Sequence, residues 1–114
     1  MARIHYYTFH DNTSNPSVGT DFNIDDIANP DNLGLEITGN ATSCLILFQA
    51  QLLPDGDWFD VAGIRVNDFF LSSSTTKVNE VWLFDLSSFR TFRTNIVSVS
   101  GGTITIKGKI SKTT

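Results

Sequence analysis

The alternation of apolar and polar positions is clearest near the end of the chain. In the segment 103–110, Ile104, Ile106 and Ile110 share one parity, while Thr103, Thr105, Lys107 and Lys109 share the other. A period of two in β-branched residues marks a strand with one dry and one wet face. The preceding run, 92–99, is also rich in β-branched residues, and Ser100-Gly101-Gly102 separates the two. Gly-Gly between such runs predicts a tight antiparallel hairpin.

The same pattern extends upstream. Residues 3–9 alternate, with Ile4, Tyr6 and Thr8 opposite His5, Tyr7 and Phe9. A polar stretch rich in Asn, Ser, Thr and Pro follows, and 10–21 reads as an unusually long loop. Residues 22–27 fit a short edge strand or one helical turn, and 29–32 (Asn-Pro-Asp-Asn) a turn. Leu33, Leu35 and Ile37 define a strand that stops at Gly39-Asn40. The continuous apolar run within 43–52 predicts a central strand covered on both sides. Pro54-Asp55-Gly56-Asp57 is turn chemistry. Beyond it come a strand over 58–64 that starts at Trp58, the pair Phe69-Phe70, and a Ser/Thr loop over 72–76. A strand over 80–86 then places Val81, Leu83 and Asp85 opposite Trp82, Phe84 and Leu86. Helical periodicity is absent. About seven or eight strands, with turns roughly every 8–12 residues, predict an all-β chain folded as a single antiparallel β-sandwich domain over 1–114, with a small β-barrel as the runner-up.

Composition narrows the function classes. Nine Phe and two Trp in 114 residues make aromatic burial the main source of core stability, at about 1.5–3 kcal/mol per fully buried ring. The one cysteine, Cys44, excludes an internal disulfide, and its apolar neighbours Leu45 and Ile46 predict a buried, inert thiol. A net charge of −4 argues against a nucleic-acid partner, and Arg90 and Arg93 fall on opposite strand faces. No secretory signal follows Met1, and no apolar run reaches membrane-span length. These features predict a soluble protein made in a reducing cytoplasm, with no membrane partner.

Candidate chemistry is sparse. His5 and His10 flank Asp11, but their spacing does not converge, other His or Cys ligands are lacking, and both are expected at the surface; no metal site is predicted. Two acidic groups, Asp21, Asp25, Asp26 and Asp31, and Asp55, Asp57 and Asp60, carry oxygens suited to calcium; the first lacks calcium-loop spacing and its late Glu, turn chemistry explains Asp55-Gly56-Asp57 more simply, and calcium stays open. Glu36 and Glu80 read as exposed, no carboxylate pair or nucleophile–base arrangement stands out, and neither enzymatic activity nor a cofactor is expected. The sequons at Asn12 and Asn40 read as polar turns. Among the aromatics, Tyr6, Tyr7, Phe69 and Phe70 are the candidates for interface or glycan contact, because adjacent strand residues face opposite ways and core packing cannot absorb all of them.

One further signal lies in the order of elements. The stretch SCLILFQAQLLPDGDWFDVAGI is followed by LSSSTTK, VWLFDLSSF, an Arg-bearing strand, SGG and TITIKG. From about Leu33 to Ile110 this order resembles a β-sandwich domain that recurs in tail and receptor-binding structural proteins of tailed bacteriophages. Residues 1–32, a strand or arm and a loop, lie outside that resemblance. It would match Arg93 to the family's arginine, read here as structural and satisfied by carbonyls or Asp85 at the sandwich end, and Gly101-Gly102 to its hairpin turn. The resemblance implies a non-enzymatic virion-associated protein of the tail region, made in the bacterial host cytoplasm. As partners it implies copies of itself (a dimer or trimer), other phage tail proteins and host cell-surface glycan. Carbohydrate binding to cell-wall glycan is the alternative function. It carries over no catalytic residue.

Overall fold

The computed structural model describes residues 2–24, 30–85 and 89–113, and it is a two-sheet antiparallel sandwich. In chain order the strands are β1 (Ala2–Thr13), β2 (Phe22–Asn23), β3 (Pro30–Gly39), β4 (Ser43–Gln51), β5 (Trp58–Asp60), β6 (Gly63–Arg65), β7 (Phe70–Ser72), β8 (Ser74–Thr75), β9 (Glu80–Asp85), β10 (Thr91–Ser100) and β11 (Ile104–Thr113). A six-stranded sheet runs β1-β11-β3-β9-β6-β7. The second sheet runs β2-β10-β4-β5, with β8 also paired to β4. The predicted sandwich is the observed one. Eleven strands are present among the described residues, because the middle of the chain breaks into strands of two or three residues.

The predicted hairpin is not a hairpin. β11 pairs with β1 and β3 in one sheet, and β10 with β4 and β2 in the other. The Ser100–Thr103 connection therefore arches between sheets, beside a second arch joining β3 to β4. Thr42 N–H donates to Ser100 O (3.0 Å), Asn40 N–H to Thr103 O (3.1 Å), and Thr103 N–H to Asn40 Oδ1 (2.9 Å). Gly101, with φ of 76°, adopts a backbone that other residues resist. Period two and a Gly-Gly turn specify strand, turn, strand; they do not say whether the second strand stays in the first one's sheet.

The segment 58–64 crosses between sheets in the same way. β5 pairs with β4 and β6 with β9, so Val61-Ala62 is the crossing rather than a strand interior. Pro30 and Asn32 belong to β3, not to a turn, while residues 25–29, Asn29 among them, lie outside the described residues, as does Leu86. In the turn before β5 the positive φ falls on Asp55 (58°) and Gly56 N–H donates to Leu53 O (3.0 Å). The strand β4 is buried on one face and half-buried on the other, so its apolar run is central but not covered equally on both sides.

The core is a chain of rings drawn from both sheets. Trp82 lies 4.8 Å from Phe48, Phe48 4.9 Å from Phe84, Phe84 5.0 Å from Phe92, and Phe92 5.8 Å from Phe9. Each of these contacts passes from one sheet to the other. Tilted and edge-on geometries of this kind add about 0.5–1.5 kcal/mol per pair to simple burial. Leu33, Leu35, Ile37, Ile46, Ile96, Ile104, Ile106 and Ile110 fill the space around them, all fully buried. The isoleucines of β11 thus face inward as their parity predicts, with Lys107 and Lys109 outward.

Two polar side chains cross the interior, and neither was expected there. Glu80 is buried, not exposed. Its carboxylate accepts from Thr75 Oγ1 (2.5 Å), Trp82 Nε1 (3.2 Å) and Arg65 NH1 (3.1 Å). Thr75 belongs to the second sheet, so Glu80 ties the layers together. His10 is also buried, because a register shift after Thr8 sends Phe9 and His10 inward together. Along β10, pairing with β2 ends at Phe92 and the bridge to Ser17 begins at Ile96, which leaves the Thr94 carbonyl open. His10 Nε2–H fills that gap, donating to Thr94 O (2.7 Å), and Nδ1 accepts from Thr13 Oγ1 (3.4 Å). Gly19, at φ of 67°, passes so near that a Cβ there would sit 2.5 Å from the imidazole.

Two outcomes follow from these ties. Replacing Glu80 with Ala strands the buried Trp82 N–H and Thr75 hydroxyl, at about 1–3 kcal/mol each. Urea unfolding of Glu80→Ala is expected to show a lower midpoint with an unchanged slope. His10 is the pH-sensitive tie. Burial, partly opposed by the Thr94 carbonyl, holds its pKa below the ordinary histidine value of 6.5. The unfolded chain therefore binds more protons as pH falls through that value, and stability present above it is lost on acidification toward the folded-state pKa. The melting temperature is expected to fall between pH 7.5 and 5.5 (about two units spanning the histidine range), and His10→Asn is expected to flatten that dependence.

Candidate interaction surface

The outward face of the six-stranded sheet carries most of the exposed apolar side chains that strand order brings together. Paired residues across antiparallel strands present their side chains on the same face. The register aligns Tyr6 with Lys109, Lys109 with Gly34, Gly34 with Leu83, Leu83 with Ile64, and Ile64 with Leu71. One row thus runs from the β1 edge to the β7 edge. Leu83, Ile64 and Leu71 are exposed in it, and Val81 and Val66, joined by Val66 N–H donating to Val81 O (2.8 Å), extend the patch sideways. A patch of this kind is commonly a contact surface.

A shallow depression of about 390 Å³ opens in this face between Tyr6, Glu36, Val81, Lys107 and Lys109, over Gly34. A side chain at Gly34 would meet nothing closer than 3.8 Å. Packing does not require glycine there, and its absent side chain keeps the depression open.

The β6–β7 turn ends the patch. Arg65 grips it: Nε–H donates to Asp68 Oδ1 and NH2 to Asp68 Oδ2, both at 2.8 Å, while NH1 reaches Glu80. Its guanidinium lies 5.1 Å from the Phe70 ring and 5.8 Å from Trp82. The two-pronged hydrogen bond is the first cause of the shifts at this pair, raising the Arg65 pKa and lowering that of Asp68. Phe70 N–H also donates to Asp68 Oδ1 (3.3 Å). Held in this frame, Phe69 has φ of 59° and is 83% exposed. A bulky ring in the left-handed region is a strained, uncommon arrangement.

The four sequence-predicted contact residues do not form one cluster. Tyr6 is exposed at the β1 edge, and Phe69 and Phe70 are exposed at the opposite edge of the same sheet. Tyr7 turns inward and is half-buried, packing 5.0 Å from both Phe9 and Phe22, with its hydroxyl donating to Asp21 O (2.7 Å). Sequence reasoning missed Leu83, Ile64 and Leu71. The alternation had placed Leu83 opposite Trp82, but only strand order shows that the three align. Cys44 is buried as predicted, and its thiol pKa is pushed up by burial first and by nearby Glu80 second. Among the described residues, no three His, Cys, Asp or Glu side chains gather as a metal site.

Arg93 does not reach toward Asp85. The two residues lie on the outward faces of opposite sheets. Arg93 extends instead across β4: Nε–H donates to Gln49 Oε1 (2.9 Å) and the guanidinium lies 4.1 Å from the Trp58 ring centre. Trp58 is accordingly half-buried on an outer face and not a core ring.

The strain at Phe69 has a measurable consequence. A left-handed backbone costs a side chain of this type about 1–2 kcal/mol, and Asn tolerates it better. Phe69→Asn is therefore expected to raise thermal stability slightly, and a fall in melting temperature would show that the ring packs in the folded chain.

Comparisons with known proteins agree with the fold. The chain is 29% identical over 102 residues to the phage-like element PBSX protein XepA of Bacillus subtilis (strain 168), which covers 90% of this chain but 35% of that protein. It is 34% identical over 102 residues to the SPbeta prophage-derived protein YomS of the same organism, covering 90% of this chain and 82% of that one. The crystal structure of the SPBc2 prophage-derived protein YomS superposes with a TM-score of 0.90 at 31% identity, over 98% of this chain and 96% of that one. That of the PBSX exported protein XepA gives 0.91 at 25% identity, over 97% and 38%. The chain thus spans about a third of XepA and most of YomS. The XepA family profile matches residues 4–110, taking in β1 and the loop after it, and the chain belongs to the XepA family.

Proposed function

We propose that this chain is a non-enzymatic structural and interaction protein of a phage particle, in the tail tip or receptor-binding region, which works by assembling with copies of itself and with other tail proteins. The observation that carries this reading is the exposed apolar row on the six-stranded sheet, ending on Phe69 held in a strained backbone by Arg65 and Asp68. A rigid, exposed ring beside a flat apolar strip has the make-up of an interface anchor with its surrounding contact area. The phage-element origin of the relatives supports the setting, and one of them is described as exported. The assembly is a dimer or trimer in the virion, built by sheet faces. The N-terminal strand contributes as an edge of its own sheet, since β1 pairs with β11 along its length and buries Phe9.

A second reading is supported by Tyr6, an exposed ring on the rim of the depression beside Glu36, Lys107 and Lys109. A ring face with polar neighbours suits a host-surface sugar. One set of measurements separates the two. Light scattering of the intact chain is expected to give a multiple of the 12.6 kDa protomer mass. Leu83→Asp and Phe69→Asn are expected to return it to the protomer mass while remaining folded. A monomer at all concentrations together with Tyr6-dependent signals on a glycan array would replace assembly with sugar binding.

A further inference from the structure

The outward face of the five-stranded sheet holds an arrangement that neither assembly through the other sheet nor core packing uses. The register sets Arg93 beside Gln49 and Gln49 beside Asp60, with Gln51 beside Trp58 in the next outward row. Gln49 links the first three: its Oε1 accepts from Arg93 Nε, and its Nε2 donates to Asp60 Oδ1 (3.1 Å). Gln51 is held separately, donating to Gly56 O (2.8 Å). The Arg93 side chain thus lies flat across β4, fixed at Nε by an amide and along its face by the Trp58 indole.

What this leaves over is the other edge of the guanidinium. Among the described residues the ion pairs are those of Arg65 with Asp68 and Glu80, and Arg93 has none. Its terminal nitrogens donate to no acceptor among the described residues, although a guanidinium carries its donors in a rigid planar fork matched to two oxygens on one atom. Holding such a side chain in a single orientation ordinarily costs rotamer entropy at the moment of binding; here the stack and the Gln49 bond have already fixed it. Burial works in the same direction, lowering the Arg93 pKa against the field of Asp21, because a cation partly removed from water gains more from an anionic partner.

We infer that Arg93 and Trp58 form a binding site for a singly charged oxyanion, a carboxylate or a phosphodiester, which the free edge of the guanidinium receives through two parallel hydrogen bonds. The single charge follows from the surroundings. Asp21 acts on the guanidinium from nearby, and the desolvation cost of an anion rises with the square of its charge while its attraction to one cation rises only in proportion, so a dianion gains less here than a monoanion. The site is on the opposite face from the apolar row and does not depend on the assembly reading.

The test is a titration of the intact chain followed by the Arg93 Nε–H resonance and by tryptophan fluorescence, at constant ionic strength set with chloride. Glucuronate presents a sugar carboxylate, dimethyl phosphate a phosphodiester, sulfate a dianion and glucose no charge. Saturable shifts with glucuronate or dimethyl phosphate, with dissociation constants in the millimolar range, support the site, and the tighter of the two identifies the source of the oxyanion. Sulfate is expected to bind more weakly, and glucose not to shift the resonance. Arg93→Lys keeps the charge and removes the fork, and it is expected to weaken binding about tenfold or more. If that variant does not fold, Gln49→Glu places a carboxylate against the guanidinium and is expected to abolish the response. An unsaturable response to both monoanions, tighter binding of sulfate, or equal binding by the substituted chains overturns the inference.

Discussion

The two sheets are held together by rings. Trp82, Phe48, Phe84, Phe92 and Phe9 form a line in which each ring touches one from the opposite sheet, so the aromatic core is shared between the layers. Glycine appears where this line needs room. A Cβ at Gly63 would lie 2.4 Å from the Phe84 ring, and one at Gly108 would lie 2.9 Å from Phe9. The rings fix the spacing of the layers, and these positions of the strands are empty because the rings occupy them.

Rings alone do not select one sliding position of sheet on sheet, since apolar contact is non-directional. The buried polar ties provide direction. Glu80 reaches Thr75 across the interior, and His10 reaches the single open carbonyl that the pairing of β10 leaves between Phe92 and Ile96. Each tie is satisfied only in one register, which adds specificity to the stability supplied by the rings. With registry settled inside, the outward faces are relieved of structural duty. One carries the apolar row and Phe69, the other the Arg93–Trp58 pair.

Strand content was legible in the sequence wherever one parity was consistently apolar, as in 33–38, 80–85 and 103–110. Sheet membership was not. The Gly-Gly connection after Ser100 and the Val61-Ala62 crossing look locally like a hairpin and a strand interior, and only distant partners show that both change layers. Glu80 read as exposed because a carboxylate at a strand start is ordinarily solvated, and the donors that permit its burial come from Arg65, Thr75 and Trp82 on three elements. His10 was hidden by a register shift, which breaks the parity rule at the residue where it matters. At the surface, the adjacency of Phe69 and Phe70 signalled exposure, while the stack of Arg93 on Trp58 joins residues thirty-five positions apart and leaves no local trace.

The Arg65 clamp also has a mechanical meaning. β7 is a three-residue edge strand, and a pull on the ring at its tip would be expected to peel it away one hydrogen bond at a time. The guanidinium instead passes the strain from Asp68 to Glu80, and the Glu80 carboxylate passes it to Thr75 in the far layer. A force applied at Phe69 is therefore shared by both layers and is not borne by the edge strand alone.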